Sequence, residues 1–171
     1  MTEARESEVQ RVLQLLWGHT YDKVADGIYV GGIDSIYELN KIENLGLVIS
    51  IVRDERKRRE RIEEWIPGGV KHIFIDLADS PKVQISNHFA STTAAISEAR
   101  AQRLGVLIHC MAGHSRSVSI TTAYLMKLWH KSAFDVIDEI MRHRPCISPN
   151  KGFVRQLIEY QTEQLGIPLE Q

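Results

Sequence analysis

Cysteine and net charge are both scarce in this chain. Two of its 171 residues are cysteines, Cys110 and Cys146, which is too few for a disulfide scaffold. Basic and acidic residues almost cancel, 21 against 22, so the net charge of −1 gives no general basis for binding nucleic acid or an anionic membrane. Any anion site must therefore be local.

Long apolar runs and low-complexity tracts are missing as well. The first ten residues, "MTEARESEVQ", are polar, and no run approaches the roughly 18 apolar residues of a membrane helix. The length suits one domain with a substantial core. We therefore expect a cytoplasmic protein, with the nucleus as a second compartment, and no nucleic acid or membrane as partner.

Short β-branched runs alternate with helical patterns along the chain. The runs predict strands at residues 28–30, 48–52, 72–77 and 106–109. Apolar residues at helical spacing predict helices at residues 7–17, 34–45, 85–104, 117–129, 133–143 and 152–165. Ser132 with Asp135 fits a capping box for the fifth of these helices. The alternation predicts an α/β fold with a central, mainly parallel twisted sheet and helices on both faces.

One segment, "RDERKRRERIEE" at residues 53–64, is almost entirely charged. It holds six basic and five acidic residues among twelve. Such a mixture predicts a solvated, salt-bridged helix or loop. A docking surface for an acidic partner is the alternative.

The stretch "VLIHCMAGHSRSVSITTAYLM" places Cys110 between a predicted strand and a predicted helix. In parallel sheets, ligands bind at the carboxyl ends of the strands, and helix N-termini attract anions. The backbone amides of the Cys110 loop (residues 110–116) are therefore expected to bind a phosphate. The phosphate-binding residues would be Met111, Ala112, Gly113, His114, Ser115 and Arg116.

Within this loop three residues have chemistry that fits phosphoryl transfer. Gly113 permits torsions that other residues resist, and the Arg116 guanidinium matches two phosphate oxygens better than lysine would. The positive field of the loop favours the thiolate form of Cys110, which is a nucleophile. Arg116 and the amides would stabilise the transferring phosphoryl group. A small buried cysteine and a surface arginine are the alternative interpretation.

The segment "HCMAGHSRS" resembles the H-C-x-x-G-x-x-R-S/T signature of cysteine-dependent protein tyrosine phosphatases. "AYLM" at residues 123–126 and "RPCISPNKGFVRQL" at residues 144–157 resemble the dual-specificity phosphatases in particular, and "GIYVGG" near the start also fits. The resemblance covers about residues 21–165. It implies a catalytic domain at 21–165, without an appended rhodanese-like domain as in the small atypical members, after an N-terminal helical extension at 1–20 and before a short tail at 166–171.

The resemblance also implies roles for individual residues. Cys110 would form a phosphocysteine intermediate and Arg116 would hold the phosphate. Ser117 would donate a hydrogen bond to the sulfur as it leaves, although it could also be a helix N-cap. "ADSPKVQISNHF" at residues 78–89 resembles the general-acid loop, with Asp79 in the place of the acid.

Two carboxylates compete for the acid role, because Asp76 lies close to Asp79. Asp76 falls within a strand pattern, whereas Asp79 follows it beside a predicted turn, from which it could approach a bound ester. We expect Asp79 to be the acid and Asp76 to be structural. The same aspartate would then activate the water that hydrolyses the intermediate.

Three further residues are expected to support this site or to pack near it. His109 would orient the Cys110 loop through hydrogen bonds, or would simply be a buried histidine. Asn150 would brace the loop from behind, or would be a turn residue. Cys146 is expected to be a packing residue, and a reversible disulfide with Cys110 is the alternative. No second ligand motif accompanies His109, Cys110 and His114, so we expect neither a metal nor another cofactor.

The loop interior carries no lysine, which favours a phosphoprotein over a highly anionic lipid as substrate. The expected activity is hydrolysis of phosphotyrosine, phosphoserine and phosphothreonine esters, and mitogen-activated protein kinases are the partners that the resemblance suggests. A phosphatase of phosphoinositides or RNA 5′ ends and a phosphobinding pseudophosphatase are the alternatives. The sequence leaves the physiological substrate and the oligomeric state open.

Overall fold

A five-stranded sheet forms the centre of the molecule in a computed structural model, which describes residues 19–169. Its strands are β1 (Tyr21–Ala25), β2 (Ile28–Gly31), β3 (Leu45–Val52), β4 (Lys71–Asp76) and β5 (Gly105–His109). Their order is β1-β2-β5-β3-β4, in which β1 is antiparallel to β2 and the other neighbours are parallel. The parallel strands β2, β5, β3 and β4 therefore end at one edge, where a ligand site is expected.

Helices cover both faces of this sheet. They are a 3₁₀ helix (Ile33–Lys41), α1 (Arg58–Glu63), a 3₁₀ turn (Ile85–His88), α2 (Phe89–Ala101), α3 (Arg116–Trp129), α4 (Ala133–His143) and α5 (Lys151–Glu163). The larger core lies between the sheet and α2–α5 and includes Ile49, Ile51 and Ile108. The smaller layer, on the side of α1 and the first 3₁₀ helix, contains Val48 and Leu107. Alternation of side chains along each strand separates the two layers.

The mainly parallel α/β fold and all four predicted strands are confirmed. Strand β1 was not predicted. Its sequence, YDKVA, has one fully buried residue, Val24, because the strand lies at the edge of the sheet and pairs only with β2. Such a strand has no clear apolar alternation to reveal it.

The helix expected at residues 34–45 is only partly correct. The segment is a 3₁₀ helix with a kink at Glu38, and Asn44 turns the chain with φ 50° so that Leu45 already begins β3. The helix expected at 85–104 divides into the 3₁₀ turn and α2, which ends before Arg103 at φ 58°. Left-handed residues of this kind stop a helix in a way that apolar spacing does not register.

The later helices follow the prediction closely. α4 spans Ala133–His143, and Ser132 caps it by accepting a hydrogen bond from the Asp135 N–H at 3.2 Å. In the charged segment, α1 carries local ion pairs such as Arg59–Glu63 at 2.8 Å, as expected for a solvated, salt-bridged helix. The helix predicted at 7–17 lies outside the described residues. Within residues 19–169, no helix has the length and apolar character needed to span a membrane.

Candidate active site

Cys110 lies directly after β5, in the Cys110 loop that leads into α3. Its side chain is buried. The backbone N–H of Gly113 points at its sulfur from 3.2 Å, and the hydroxyl of Ser117 is 3.3 Å away. Both groups can donate a hydrogen bond to a thiolate, so the sulfur occupies the floor of a polar loop. α3 begins at Arg116 with Ser115 at its N-cap position, so Ser117 is inside the helix and the N-cap alternative for it is wrong.

The curvature of the Cys110 loop depends on Gly113. Its φ is +70°, and a Cβ there would lie 2.5 Å from the carbonyl carbon of Gly31 and 2.7 Å from Nη2 of Arg144. A side chain is therefore excluded both by the torsion and by the space. The backbone of the loop at Gly113 therefore packs closely against the backbone of Gly31, the last residue of β2.

Backbone hydrogen bonds hold the outer side of the loop. The Cys110 N–H donates to the Gly31 carbonyl at 3.2 Å, and the Ile33 N–H donates to the Met111 carbonyl at 2.9 Å. On the other flank, the Ser148 N–H donates to the His114 carbonyl at 2.8 Å. The Met111 and His114 carbonyls are thus bonded to neighbouring segments, whereas the Gly113 N–H is directed inward at the Cys110 sulfur.

Arg144 supports the loop from below and is the largest side chain in the fully buried set. Its Nε donates to the Gly113 carbonyl at 2.9 Å and its Nη2 to the Ala112 carbonyl at 3.3 Å. Its Nη1 forms a 2.6 Å ion pair with Asp22, on the edge strand β1. A buried guanidinium is tolerated because these acceptors and this counter-charge compensate for its lost hydration.

Arg116 is 7% exposed and connects the Cys110 loop with the end of β4. Its Nη1 donates to the Leu77 carbonyl at 3.1 Å. Its Nε is buried and has no hydrogen-bond partner among residues 19–169. A buried donor left unpaired is costly, and a phosphate oxygen is the kind of acceptor that would satisfy it.

His109 is buried behind the loop, on the opposite side of the strand from Cys110. Its Nδ1 is 3.2 Å from the carbonyl oxygen of Cys110, and its Nε2 is 2.7 Å from Oγ of Ser50. Complete burial lowers its pKa to about 4, so the ring is neutral at physiological pH. The 3.2 Å contact joins this neutral ring to the loop backbone, and the orienting role of His109 stays a prediction.

Asp79 reaches the Cys110 loop from the Asp79 loop (residues 77–84), which follows β4. Its Oδ1 accepts hydrogen bonds from Ser115 Oγ at 2.8 Å and from Asn150 Nδ2 at 2.7 Å. Ser115 and Asp79 are 36 positions apart in the sequence, and the fold brings them into contact. Asn150 also donates its backbone N–H to Ser115 Oγ at 3.1 Å and caps α5 by accepting from the Phe153 N–H at 3.0 Å. Asn150 thus contacts both loops.

The Asp79 loop rests on α5. A Cβ on Gly152 would overlap the backbone of Pro81, so only glycine lets α5 approach this closely. Further along, Gln156 donates to the Val83 carbonyl at 2.8 Å and accepts from the Ser86 N–H at 3.0 Å. The segment "RPCISPNKGFVRQL" therefore supports both loops, with Arg144 below the Cys110 loop and Gly152 and Gln156 against the Asp79 loop.

Asp76 lies away from the Cys110 loop contacts. Its side chain is half exposed, pairs with Arg53 at 3.5 Å and accepts from the Asp54 N–H at 3.2 Å. Cys146 is partly buried, and burial raises the pKa of its thiol. Both cysteines are free thiols. Residues 19–169 contain no group of three or more His, Cys, Asp or Glu side chains arranged to hold a metal ion.

The structure thus brings Cys110, Arg116, Ser117, Asp79 and Asn150 into one site. Sequence reasoning assigned no role to Arg144, Gly152 or Gln156, although each stands at a fixed position of the motif at residues 144–157. It also missed Asp22 and Ser50, which carry no signal in the sequence because their partners, Arg144 for Asp22 and two histidines for Ser50, are distant along the chain.

Comparisons with known proteins agree with this geometry. The family described as "Dual specificity phosphatase, catalytic domain" matches residues 28–163. Human dual specificity protein phosphatase 22 is 30% identical over 148 residues, which cover 86% of this chain and 77% of that protein. MAP kinase phosphatase with leucine-rich repeats protein 3 of Dictyostelium discoideum is 34% identical over 144 residues, which cover 82% of this chain and 16% of that protein.

Solved structures are similar over most of the chain. A mouse putative dual specificity phosphatase complexed with zinc tungstate superposes with a TM-score of 0.76 at 25% identity, covering 88% of this chain and 94% of that one. The crystal structure of DUSP15 gives 0.73 at 29% identity, with 84% and 88% covered. With its family match over residues 28–163, the chain belongs to the dual-specificity phosphatases of the cysteine-dependent protein tyrosine phosphatase superfamily.

Proposed function

We propose that this dual-specificity phosphatase hydrolyses phosphotyrosine, phosphoserine and phosphothreonine esters of proteins through a phosphocysteine at Cys110. The observation that carries the proposal is the 2.8 Å hydrogen bond between Asp79 and Ser115. It places a carboxyl group at the loop that begins with a buried cysteine and ends with a buried arginine. Nucleophile, phosphate clamp and proton donor then belong to one site.

In the first step the Cys110 thiolate attacks phosphorus, and the bond from phosphorus to the ester oxygen breaks. Arg116 and the amides of Met111, Ala112, Gly113, His114 and Ser115 stabilise the equatorial phosphoryl oxygens. Asp79, protonated, gives its proton to the departing oxygen, so the alcohol or phenol leaves neutral. The products of this step are phosphocysteine, the free hydroxyl side chain and the Asp79 carboxylate.

In the second step water attacks the phosphocysteine. Asp79 accepts a proton from the water, the sulfur–phosphorus bond breaks, and inorganic phosphate leaves. The Ser117 hydroxyl, 3.3 Å from the sulfur, donates a hydrogen bond to the departing thiolate. The enzyme returns to its starting state without an external cofactor or metal.

Substrate choice follows from the charge of the loop. The residues between Cys110 and Arg116 include no lysine or arginine, and the nearby Arg144 is buried in its ion pair with Asp22. One phosphate monoester suits this site better than a lipid headgroup with several phosphates. The Dictyostelium relative is named a MAP kinase phosphatase, and phosphorylated mitogen-activated protein kinases are the protein substrates that we propose to test first. We also propose a cytoplasmic location, with the nucleus as a second compartment, where thiols stay reduced.

Replacing Cys110 by serine tests the chemistry directly. We expect Cys110→Ser to lose turnover of a phosphotyrosyl peptide by at least about 10⁴-fold while it still binds that peptide. Parallel assays on a phosphoinositide and on a 5′-triphosphate RNA distinguish the alternative substrates. Full activity of Cys110→Ser, or a preference for lipid or RNA over the peptide, would contradict the proposal. Wild-type protein that binds the peptide without hydrolysing it would instead indicate a phosphobinding pseudophosphatase.

A further inference from the structure

A hydrogen-bonded chain of three side chains runs behind the Cys110 loop. Ser50, near the carboxyl end of β3, has its Oγ 2.7 Å from Nε2 of His109 on β5 and 2.8 Å from Nε2 of His72 on β4. The far nitrogen of His109 reaches the Cys110 carbonyl at 3.2 Å. The chain thus crosses three adjacent strands and ends on the backbone of the proposed nucleophile.

The alternation of side chains explains why these residues meet. Ser50 pairs with His109 across β3 and β5, so these two side chains leave the sheet on the same face. That face is the smaller layer, whereas Cys110, the next residue after His109, enters the polar loop. The layer is otherwise lined by apolar residues such as Val48, Val52 and Leu107. A polar chain in this surrounding is stable only if each member is paired.

The geometry fixes the direction of every hydrogen bond in the chain. The Cys110 carbonyl only accepts, so Nδ1 of His109 carries a proton. His109 is buried, has no carboxylate partner among residues 19–169 and is neutral, so its Nε2 is an acceptor. Ser50 has one proton and must donate it to His109. His72 must then donate its Nε2–H to Ser50.

The outer end of the chain reaches the surface. Nδ1 of His72 lies 3.9 Å from Oε1 of Glu63, at the end of α1 and within the charged segment. This distance is electrostatic rather than a hydrogen bond. Glu63 is held by Arg59 at 2.8 Å, and the Phe74 ring packs edge-on against His72. His72 keeps its Nε2–H whether it is neutral or protonated, so the chain tolerates either state.

We propose that Ser50 and His72 are positioning residues for the phosphatase reaction, acting through His109 on the backbone of Cys110. In a trans peptide unit the carbonyl and the following N–H point in opposite directions. Holding the Cys110 carbonyl therefore holds the N–H of Met111, one of the amides proposed to bind phosphate. The chain sets the orientation of the cysteine and of the first loop amide together. This inference rests on the function proposed above.

The first test examines the hydrogen-bonded chain of Ser50, His72 and His109 without an activity assay. Two-dimensional ¹⁵N spectra of the wild-type imidazole rings at pH 7 distinguish the two neutral tautomers. We expect His109 in the Nδ1–H form and His72 with a proton on Nε2. We also expect the ring signals of both histidines to change in Ser50→Val. A His109 ring protonated on Nε2 instead of Nδ1 would overturn the assigned direction. So would a His109 signal that Ser50→Val leaves unchanged.

The second test uses variants of matched shape. Ser50→Thr keeps the hydroxyl, whereas Ser50→Val has the same shape without it. We expect Ser50→Val to lower kcat on a phosphotyrosyl peptide about tenfold and to slow alkylation of Cys110 by iodoacetamide several-fold, with KM nearly unchanged, and Ser50→Thr to recover most of both. Equal rates in the two variants would overturn the proposal.

His72 supplies an independent pair of variants, which also serves if Ser50→Val fails to fold. His72→Gln can still donate to Ser50, whereas His72→Leu cannot, and we expect kcat to be several-fold lower in His72→Leu than in His72→Gln. Thr92→Val is the control, because it removes another buried hydroxyl, on α2, which donates at 2.6 Å to the carbonyl of His88 at the end of the 3₁₀ turn and makes no hydrogen bond to Ser50, His72 or His109. Thr92→Val should lose stability but keep its kcat. If it loses kcat as the Ser50→Val variant does, the effect is one of general stability and the positioning role is refuted.

Failure of this inference differs from failure of the proposed function. If Cys110→Ser remains active, the proposed chemistry is wrong, whatever the histidine spectra show. If Cys110→Ser is inactive and Ser50→Val has wild-type kcat and alkylation rate, the chemistry stands and the positioning chain is wrong.

Discussion

The Cys110 loop and the Asp79 loop face each other, but they are held in different ways. The Cys110 loop follows β5 and is supported from within by the buried Arg144 and His109. The Asp79 loop is attached from outside, through side chains of α5 and through Ser115. The proposed nucleophile is therefore built into the core, whereas the proposed acid depends on a few half-exposed contacts. This contrast matches their chemistry, since the nucleophile must stay fixed and the acid must approach the leaving oxygen.

The largest effect on this comparison should come from the acid itself. We expect Asp79→Asn to lower kcat by about 10²–10⁴-fold with little change in KM, because an amide cannot give a proton to the leaving oxygen as a carboxylic acid does. The fall of kcat/KM at alkaline pH, which reports loss of the acid's proton, should disappear in this variant. Asp76→Asn is the matched control and should keep wild-type kcat. Loss of activity in Asp76→Asn with retention in Asp79→Asn would reverse the assignment.

Removing the buried guanidinium below the Cys110 loop should affect stability most. Arg144→Leu leaves Asp22 and the carbonyls of Ala112 and Gly113 without their partner, so we expect the free energy of unfolding to fall by about 3–5 kcal/mol. Urea titration measures this loss. Arg155→Leu, which breaks an exposed 3.6 Å pair with Glu159, is the control and should change stability by less than about 1 kcal/mol. A similar small loss for Arg144→Leu would mean that the loop does not depend on its buried support.

Low pH should reduce the free energy of unfolding, because of the buried His109 behind the Cys110 loop. His109 has a pKa of about 4 in the folded protein and its ordinary value of 6.5 when unfolded, so the unfolded chain binds more protons between these values. Stability therefore falls as the pH falls through this window. Burial lowers the pKa of His72 too, which adds to the effect in the same direction.

We expect the free energy of unfolding to be about 2 kcal/mol lower at pH 5 than at pH 7 because of His109. Chemical denaturation at the two pH values measures it, and His109→Gln should show a smaller difference. An equal pH dependence in His109→Gln would show that other groups cause it.

The smallest effect should come from the contact between Asn150 and Asp79. Asn150→Ala loses both the helix cap and this contact, whereas Asn150→Ser can still cap α5 but is too short to reach Asp79. We expect both to lower kcat by roughly tenfold, and only Asn150→Ala to lose about 1 kcal/mol of stability as well. If Asn150→Ser keeps wild-type kcat, the hydrogen bond to Asp79 is not needed to hold the Asp79 loop.

Much of the site was visible in the sequence because its signals are local. Cys110 follows a strand and Arg116 and Ser117 open the next helix, so these three residues lie within eight positions of one another and their spacing and context place them around one loop. Asp79 was distinguished from Asp76 by its place after the strand pattern. The kink at Glu38 and the edge strand β1 were missed, because a bend and an unpaired edge leave no periodic apolar pattern.

The sequence by itself determined the α/β order of elements, the turn around Cys110 and the identity of the candidate acid, since each follows from short-range patterns of residue type. The tertiary structure decided which distant residues support them. Arg144 with Asp22, Ser50 with His72 and Gly152 with Pro81 lie far apart in the sequence, and nothing in the chain's local pattern pairs them. Burial and strand pairing bring these groups together, because a buried polar group is stable only where the fold supplies its partner.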